Sequence, residues 1–335
     1  MPNGGPPQIK EFLKARNIHF SEDHDMARNS YFGTGGNVKT AIFPRNKRDL
    51  QAVLRFCHDH GLSYRIFGAT SNCLFLNEGV FDIFILTKYL NGLGFDGMDG
   101  LITALAGTMM PALAKKAAQK GYTGFEGLCG IPGTVGGGVY MNAGAYGNEI
   151  SDHLVDVLVL NGKGEETVFK KEQLEYRFRH SLFRDKDLGV IVEARFKAPK
   201  GDPEEINKKI DQCAQHRKDY QENEFPNLGS LFATFDIYEE IRKYDPLYRT
   251  AILLDKIYCK LFHPRDNKFL NFLTNVYFRF PFQERPYSDK TLNCLINTGD
   301  NYNEVLHYVE FMQKLTRYQL PLENEIIGPW SDNVH

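Results

Sequence analysis

Residues 124–147 read GFEGLCGIPGTVGGGVYMNAGAYG, from Gly124 to Gly147. Gly130, Gly133, Gly136, Gly137, Gly138, Gly144 and Gly147 fall within eighteen residues. Such density is costly in chain entropy. It fits a place where backbone N–H groups close around a ligand that a Cβ would push away. A pyrophosphate is such a ligand, because converging amides supply partial positive charge without side chains. Asn142 adds an amide for a ring edge or a ribose. The competing reading is a set of tight β turns packed for shape, and spacing alone leaves both open. No G-x-G-x-x-G follows a first strand and no Gly-Lys-Ser/Thr closes the stretch, so it is neither dinucleotide fingerprint nor Walker loop.

Upstream, Gln8 to Ile18 reads as a leading helix and Thr40 to Phe43 as a strand stopped by Pro44. Asp49 to His60 has helical apolar spacing (Leu50, Val53, Leu54, Cys57) and ends at Gly61. Ser63 to Phe67 is a strand entering the small-residue loop Gly68-Ala69-Thr70-Ser71-Asn72. A second unit repeats the alternation: Leu101 to Ala106 is strand-like, and Met109 to Lys120 is a helix closed by Gly121. Downstream, Leu154 to Leu160 and Glu166 to Phe169 flank Asn161-Gly162-Lys163-Gly164, a hairpin signature, and Val190 to Phe196 alternates as a further strand. Asp202-Pro203-Glu204-Glu205 starts a helix reaching about Tyr220. Glu304 to Tyr318 is the last clear helix.

Composition bounds the function. The 335 residues suffice for two or three domains, and a net charge of -2 gives no global reason to expect nucleic acid or a membrane as partner. No apolar run is long enough to span a bilayer, and the first residues lack a signal-peptide core. The six cysteines (Cys57, Cys73, Cys129, Cys213, Cys259, Cys294) include no C-x-x-C and read as reduced thiols of a cytoplasmic protein. The ten histidines have no ligand spacing, so no metal is expected.

With these residues in view, Gly130-Ile131-Pro132-Gly133-Thr134-Val135-Gly136-Gly137 and Met141-Asn142-Ala143-Gly144-Ala145-Tyr146-Gly147 closely resemble the flavin-binding stretch of the UDP-N-acetylenolpyruvoylglucosamine reductases of peptidoglycan synthesis. Gly121 to Glu126, Tyr31 to Pro44 and the loop Gly68 to Asn72 are similar to that family's sequences too. The resemblance implies an α+β chain: a two-subdomain FAD-binding module of the PCMH, vanillyl-alcohol-oxidase-like type, then a smaller α+β substrate-binding domain. The divisions fall at 1–81, 82–200 and 201–335. It implies FAD held by Gly68, Ala69, Thr70, Ser71, Asn72, Gly130, Ile131, Pro132, Gly133, Gly136, Gly137, Asn142, Ala143 and Gly144. NADPH is the implied reductant, a nucleotide sugar the substrate, and the protein is expected to be a monomer.

Reducing an enolpyruvyl ether needs a hydride donor, a group that steadies the developing enolate, and an acid for the adjacent carbon. In the family the last two tasks fall on an Arg, a Ser and a Glu. The matching residues are Arg179 in Phe178-Arg179-His180-Ser181-Leu182-Phe183, Ser230 in Gly229-Ser230-Leu231-Phe232, and Glu325 in Leu322-Glu323-Asn324-Glu325-Ile326. Arg177 is the alternative register for the first, and Glu323 is expected to be solvated. Glu325 needs a raised pKa to act as an acid. Arg217 and Lys218 are the cations available to the substrate's phosphates. Cys129 reads as a small core residue, with a covalent flavin link the other option.

The chain departs from the family pattern at five places. Phe178 stands where a Tyr is usual and Thr70 where a Gly is usual. Phe232-Ala233-Thr234-Phe235 replaces Phe-Lys-Asn-Pro, and Gln221-Glu222 replaces Gln-Pro. Asp236 to Tyr287 becomes an aromatic-rich, helix-prone segment. Three functions follow: the muramate-forming reductase, a related FAD oxidoreductase with another enolpyruvyl or sugar substrate, or a flavin-fold binding protein without turnover.

Overall fold

The computed structural model describes residues 6–96, 100–263 and 266–329. Helix α1 (Pro6–Ala15) buries Ile9 and Leu13, one turn apart, and stacks Phe12 on Phe56 at 4.2 Å. Strand β1 (Phe20–Asp25) leads through the single turn α2 (Met26–Asn29) into β2 (Asn37–Ile42). Helix α3 (Lys47–Asp59), capped by the Asn46 side chain on the Asp49 N–H, carries the chain over to β3 (Arg65–Phe67). After the short β4 (Cys73–Phe75), β5 (Val80–Leu86) completes a sheet of order β1-β2-β5-β3, with β2 and β3 both parallel to β5. Parallel neighbours need a crossover, and the one between β2 and β5 includes α3. The sequence-based division at 81/82 cuts through β5. Val80 to Leu86 pairs with both β2 and β3, so the strand belongs to the first sheet as a whole.

The second sheet is antiparallel throughout. It runs β11-β10-β12-β7-β6, from β6 (Leu93–Phe95) and β7 (Leu101–Leu105) to β10 (Leu154–Leu160), β11 (Glu166–Lys170) and β12 (Val190–Lys197). The expected hairpin at Asn161 to Gly164 joins β10 to β11. Between β7 and β10 lie α4 (Met110–Gln119), α5 (Val135–Met141) and the small hairpin of β8 (Gly144–Ala145) and β9 (Asn148–Glu149). Helix α5 lies inside the glycine stretch, where three successive glycines would not lead one to expect it. It forms because Thr134 caps it, with Oγ1 accepting the Gly137 N–H, and because its buried Val135 and Val139 join the main core.

The core of the remaining chain also takes in Phe32 and Leu74 of the first unit. Helix α6 (Pro203–Tyr220), capped by Asp202 with Pro203 in its first turn, packs against α4 and the glycine stretch. Strands β13 (Asn227–Ser230) and β14 (Cys294–Ile296) pair. Helices α7 (Ile237–Tyr244), α8 (Arg249–Phe262), α9 (Lys268–Phe278) and α10 (Tyr302–Leu315) build a second core around Tyr238, Tyr248 and Tyr308. Burial requires partners for the phenols: Tyr238 donates to Asn271 Oδ1 at 2.6 Å, Tyr308 donates to the Leu292 carbonyl at 2.8 Å, and Tyr248 lies 2.5 Å from Thr274 Oγ1. Strand β15 (Glu325–Ile327) then returns to pair in parallel with β4, so the unit expected at 201–335 ends inside the first subdomain. Among the described residues no helix is long and apolar enough to cross a membrane, and no cluster of His, Cys, Asp and Glu could hold a metal ion.

Candidate active site

A cavity of about 1190 Å³ lies where the two sheet units and the C-terminal segment meet. The loop Gly68 to Asn72 and the stretch Gly130 to Gly138 form one wall. Arg179, Ser230, Glu323 and Glu325 reach it from three other segments.

The two glycine-containing loops touch. A Cβ on Gly68 would fall 2.3 Å from Thr134 Oγ1, so only glycine lets the first loop meet the cap of α5. Gly136 and Gly138 are small for the same kind of reason: a Cβ would strike Ala106 at 2.9 Å and Met110 Sδ at 2.6 Å respectively. Close packing therefore accounts for part of the glycine density. At Gly137 the nearest atom to an added Cβ is Thr134 Oγ1 at 3.5 Å, which leaves backbone open to the cavity. Thr70 sits at φ +58, a conformation unusual for a β-branched residue. Its hydroxyl accepts the Tyr31 N–H at 2.9 Å, which helps hold it there.

Arg217 is the cation of this wall. It projects from α6 over Gly130, where a Cβ would lie 2.1 Å from its Cδ. Burial pulls its pKa below the usual arginine value, yet no carboxylate pairs with it among the described residues. A desolvated cation without a protein counter-charge is a receptor for an anion. Lys218, expected beside it, is exposed and does not line the cavity. Successive residues of a helix point about 100° apart, so α6 turns only one of the two inward.

Arg179 lies at φ +54 and is held on three sides. Its Nε donates to Glu323 Oε1 at 2.8 Å, Nη2 donates to the Gly144 carbonyl at 2.6 Å, and the guanidinium lies 4.8 Å from the Phe178 ring centre. Arg177, the alternative register, is exposed and faces Asp185. Ser230 ends β13 at the cavity, its strand paired to β14 through Cys294. Burial pushes the pKa of Glu325 up, with the nearby Arg184 charge opposing it. That is the direction a proton-holding acid requires.

Two expected placements differ. Glu323 is not solvated: its side chain is 17% exposed, it pairs with Arg179, and burial raises its pKa against the pull of that cation. A signal was available, because residues two apart in an extended chain share a face, so Glu323 and Glu325 belong together. Asn142 is fully buried, and its amide donates to Glu149 Oε2 at 2.8 Å and to the Arg177 carbonyl at 2.9 Å. Its donors serve the protein and it does not line the cavity. Asn72 does line the cavity, but its amide donates to the Glu323 carbonyl while its own carbonyl accepts the Glu325 N–H, registering β15 against the first loop.

The departures at 221–235 also have local structure. The Glu222 carboxylate accepts the N–H groups of Asn223, Glu224 and Phe225 and the Ser288 hydroxyl, organising the turn where the family pattern has a proline. Phe235, 91% exposed, lies tilted against Phe178 with ring centres 4.5 Å apart at the cavity. Cys129 is partly buried against the main core and does not line the cavity.

Comparison with known proteins places the sequence and the fold. Residues 38–170 match the family described as FAD binding domain. The UDP-N-acetylenolpyruvoylglucosamine reductase of Carboxydothermus hydrogenoformans is 37% identical over 226 residues, covering 67% of this chain and 74% of that protein. The reductase of Shouchella clausii is 36% identical over 211 residues, covering 63% and 67%. The crystal structure of UDP-N-acetylenolpyruvylglucosamine reductase from Thermus caldophilus superposes with a TM-score of 0.65 at 25% identity, covering 92% of this chain and 98% of that one. By its glycine-lined cavity, its fold and these relatives, the chain belongs to the UDP-N-acetylenolpyruvoylglucosamine reductase family.

Proposed function

We propose that this protein binds FAD in the cavity and uses NADPH to reduce the enolpyruvyl ether of UDP-N-acetylglucosamine to UDP-N-acetylmuramate. This is a step of peptidoglycan precursor synthesis, carried out by a cytoplasmic monomer. The observation that carries the reading is the convergence of Arg179, Ser230 and Glu325 on a cavity whose facing wall is glycine backbone and a part-buried Arg217 with no carboxylate partner among the described residues. That wall fits FAD: backbone stays open at Gly137, and Arg217 offers charge to an anion.

FAD bound there supplies the hydride, and NADPH restores it. The protein's own groups do the rest. Gly68 to Ser71 and Gly130 to Gly137 would hold the cofactor, and Arg217 would face a phosphate. Arg179, fixed by Glu323 and the Gly144 carbonyl, places positive charge where the enolate develops. Glu325, whose pKa burial raises, would serve as an acid toward that negative charge. Ser230 delivers the proton to the adjacent carbon.

The Phe178–Phe235 pair favours a second reading. It puts two phenyl rings where the family pattern has a tyrosine and a proline, next to Ala233 and Thr234 in place of a cation and an amide, as a relative acting on another enolpyruvyl or sugar substrate would need. One experiment separates the two. The flavin is reduced with NADPH without oxygen, and the enolpyruvyl ether of UDP-N-acetylglucosamine is added. Return of the oxidised flavin spectrum with formation of UDP-N-acetylmuramate is the expected result. A reduced flavin that ignores this substrate removes the first reading in favour of the second. A protein that takes up no FAD removes both.

A further inference from the structure

Helices α8 and α9 form a hairpin, with Tyr258 stacked on Phe269 at 4.2 Å. Each buries one face. Ala251 and Ile252 of α8, and Leu270, Asn271 and Thr274 of α9, are buried toward the C-terminal core. The opposite faces are also apolar, and they are open. On α8, Leu253, Ile257 and Leu261 recur every four residues and form one stripe, with Leu261 67% exposed. On α9, Phe272 and Val276 repeat the pattern, and Phe272 is 61% exposed. Contiguous exposed apolar surface of this kind marks an interaction site.

Charge selects the partner. At 100° per residue, Arg249, Lys256 and Lys260 form a row beside the Leu253–Ile257–Leu261 stripe, and Lys268 and Arg279 flank Phe272 and Val276. All five of these cations are exposed, whereas the acids of the hairpin, Asp255 and Asp266, are only partly so. Among the described residues only Lys268 has an ion pair, a loose one to Asp266 at 3.9 Å. An apolar stripe bordered by exposed cations, four of these five without an ion pair among the described residues, is the pattern of a helix lying in a membrane interface. There the apolar side chains enter the acyl boundary and the cations reach lipid phosphates. A second copy of the chain suits the face poorly, since a two-fold contact would set the same lysine rows against each other without matching acids. The net charge of -2 concealed this patch, because it averages over the whole chain.

We propose that the exposed face of the α8–α9 hairpin docks on the surface of an anionic phospholipid bilayer, lying on it without crossing it. This departs from the sequence-based expectation of no membrane partner. It is independent of the reaction assigned to the cavity, since none of these residues lines it.

The test is co-sedimentation of the full chain with vesicles of phosphatidylcholine, alone or mixed with phosphatidylglycerol, over a salt series. The expected result is pelleting with the mixed vesicles that weakens as salt rises, and much less pelleting with phosphatidylcholine alone. Ile257→Glu with Leu261→Glu should abolish it. Lys256→Gln with Lys260→Gln should lower the partition coefficient by about tenfold or more. Both double variants should keep the melting temperature and the rate of flavin reduction by NADPH. Failure of the unaltered chain to bind anionic vesicles at low salt overturns the proposal, as does equal binding by the variants. A dimer in sedimentation velocity that Ile257→Glu with Leu261→Glu dissociates would overturn it in favour of a second copy on this face.

Discussion

The cavity wall and the α8–α9 hairpin treat apolar side chains in opposite ways. Across residues 20–200, seven large apolar side chains are strongly exposed among the described residues. Between 249 and 278, a sixth of that length, there are eight. The first region folds its apolar groups inward to hold glycine backbone and a few charged groups in position around a cavity. The second folds only one face of each helix and leaves the other open. The two regions also differ in what fills the space left by small or missing partners. Gly136 and Gly138 are small because Ala106 and Met110 press on them, whereas Leu261 and Phe272 stay 67% and 61% exposed. The contrast teaches that the cavity is complete in shape and incomplete in charge, while the hairpin is incomplete in shape. Arg217 awaits an anion; the hairpin awaits a surface.

The largest effect that would sharpen this contrast is at Ser230. Ser230→Ala should reduce turnover of the enolpyruvyl substrate by about a hundredfold to ten-thousandfold, while reduction of the flavin by NADPH continues at its normal rate. Stopped-flow measurement of the two half-reactions reads this directly. Loss of both half-reactions together would mean that Ser230 supports the cavity and not the chemistry.

A smaller effect is expected at Arg217. Arg217→Met removes the part-buried cation while keeping an apolar stem against Gly130. The KM for the nucleotide sugar, or the Kd for FAD, should rise by about tenfold to a hundredfold, in line with loss of a charge-assisted bond worth about 1.5–3 kcal/mol. The kcat should change little. Titration of the purified variant with each ligand shows which anion the residue serves, and no change in either would break the description of the cavity as incomplete in charge.

The smallest effect concerns stability. Burial raises the folded-state pKa of Glu325. Its contribution to stability is therefore full at low pH and declines as pH rises through that pKa. Glu325→Gln should melt a few degrees higher than the parent near neutral pH, and the gap should close below the ordinary glutamate range. Calorimetry at the two pH values checks it. The variant should lose activity in spite of its gain in stability, the usual trade at a site built to hold an uncomfortable charge.

Much of this was legible in the chain. The hairpin at Asn161 to Gly164, the cap at Asp202, and the C′ glycines Gly61 and Gly121 are set by local backbone preferences, which a sequence displays. The motif around Arg179 lies in one short segment, so its register over Arg177 could be read from spacing to Ser181 and Phe183. Tertiary structure decided the rest. Glu323 looked like a surface charge until β15 paired with β4 and brought it within 2.8 Å of Arg179, a residue 144 positions away in sequence. Asn142 looked like a ligand group until folding buried it and gave its donors to Glu149 and the Arg177 carbonyl. Arg217 and Lys218 are equivalent as letters, and only the packing of α6 on the glycine stretch points one inward. The apolar letters of α8 and α9 were visible, but burial depends on what lies opposite, and a sequence does not state that. What the sequence determined by itself was local: where the backbone turns, where helices begin, and which residue types a phosphate or an enolate could use. Which charges meet, which amides are already committed and which apolar faces stay open are long-range pairings, settled only when distant segments close around one another.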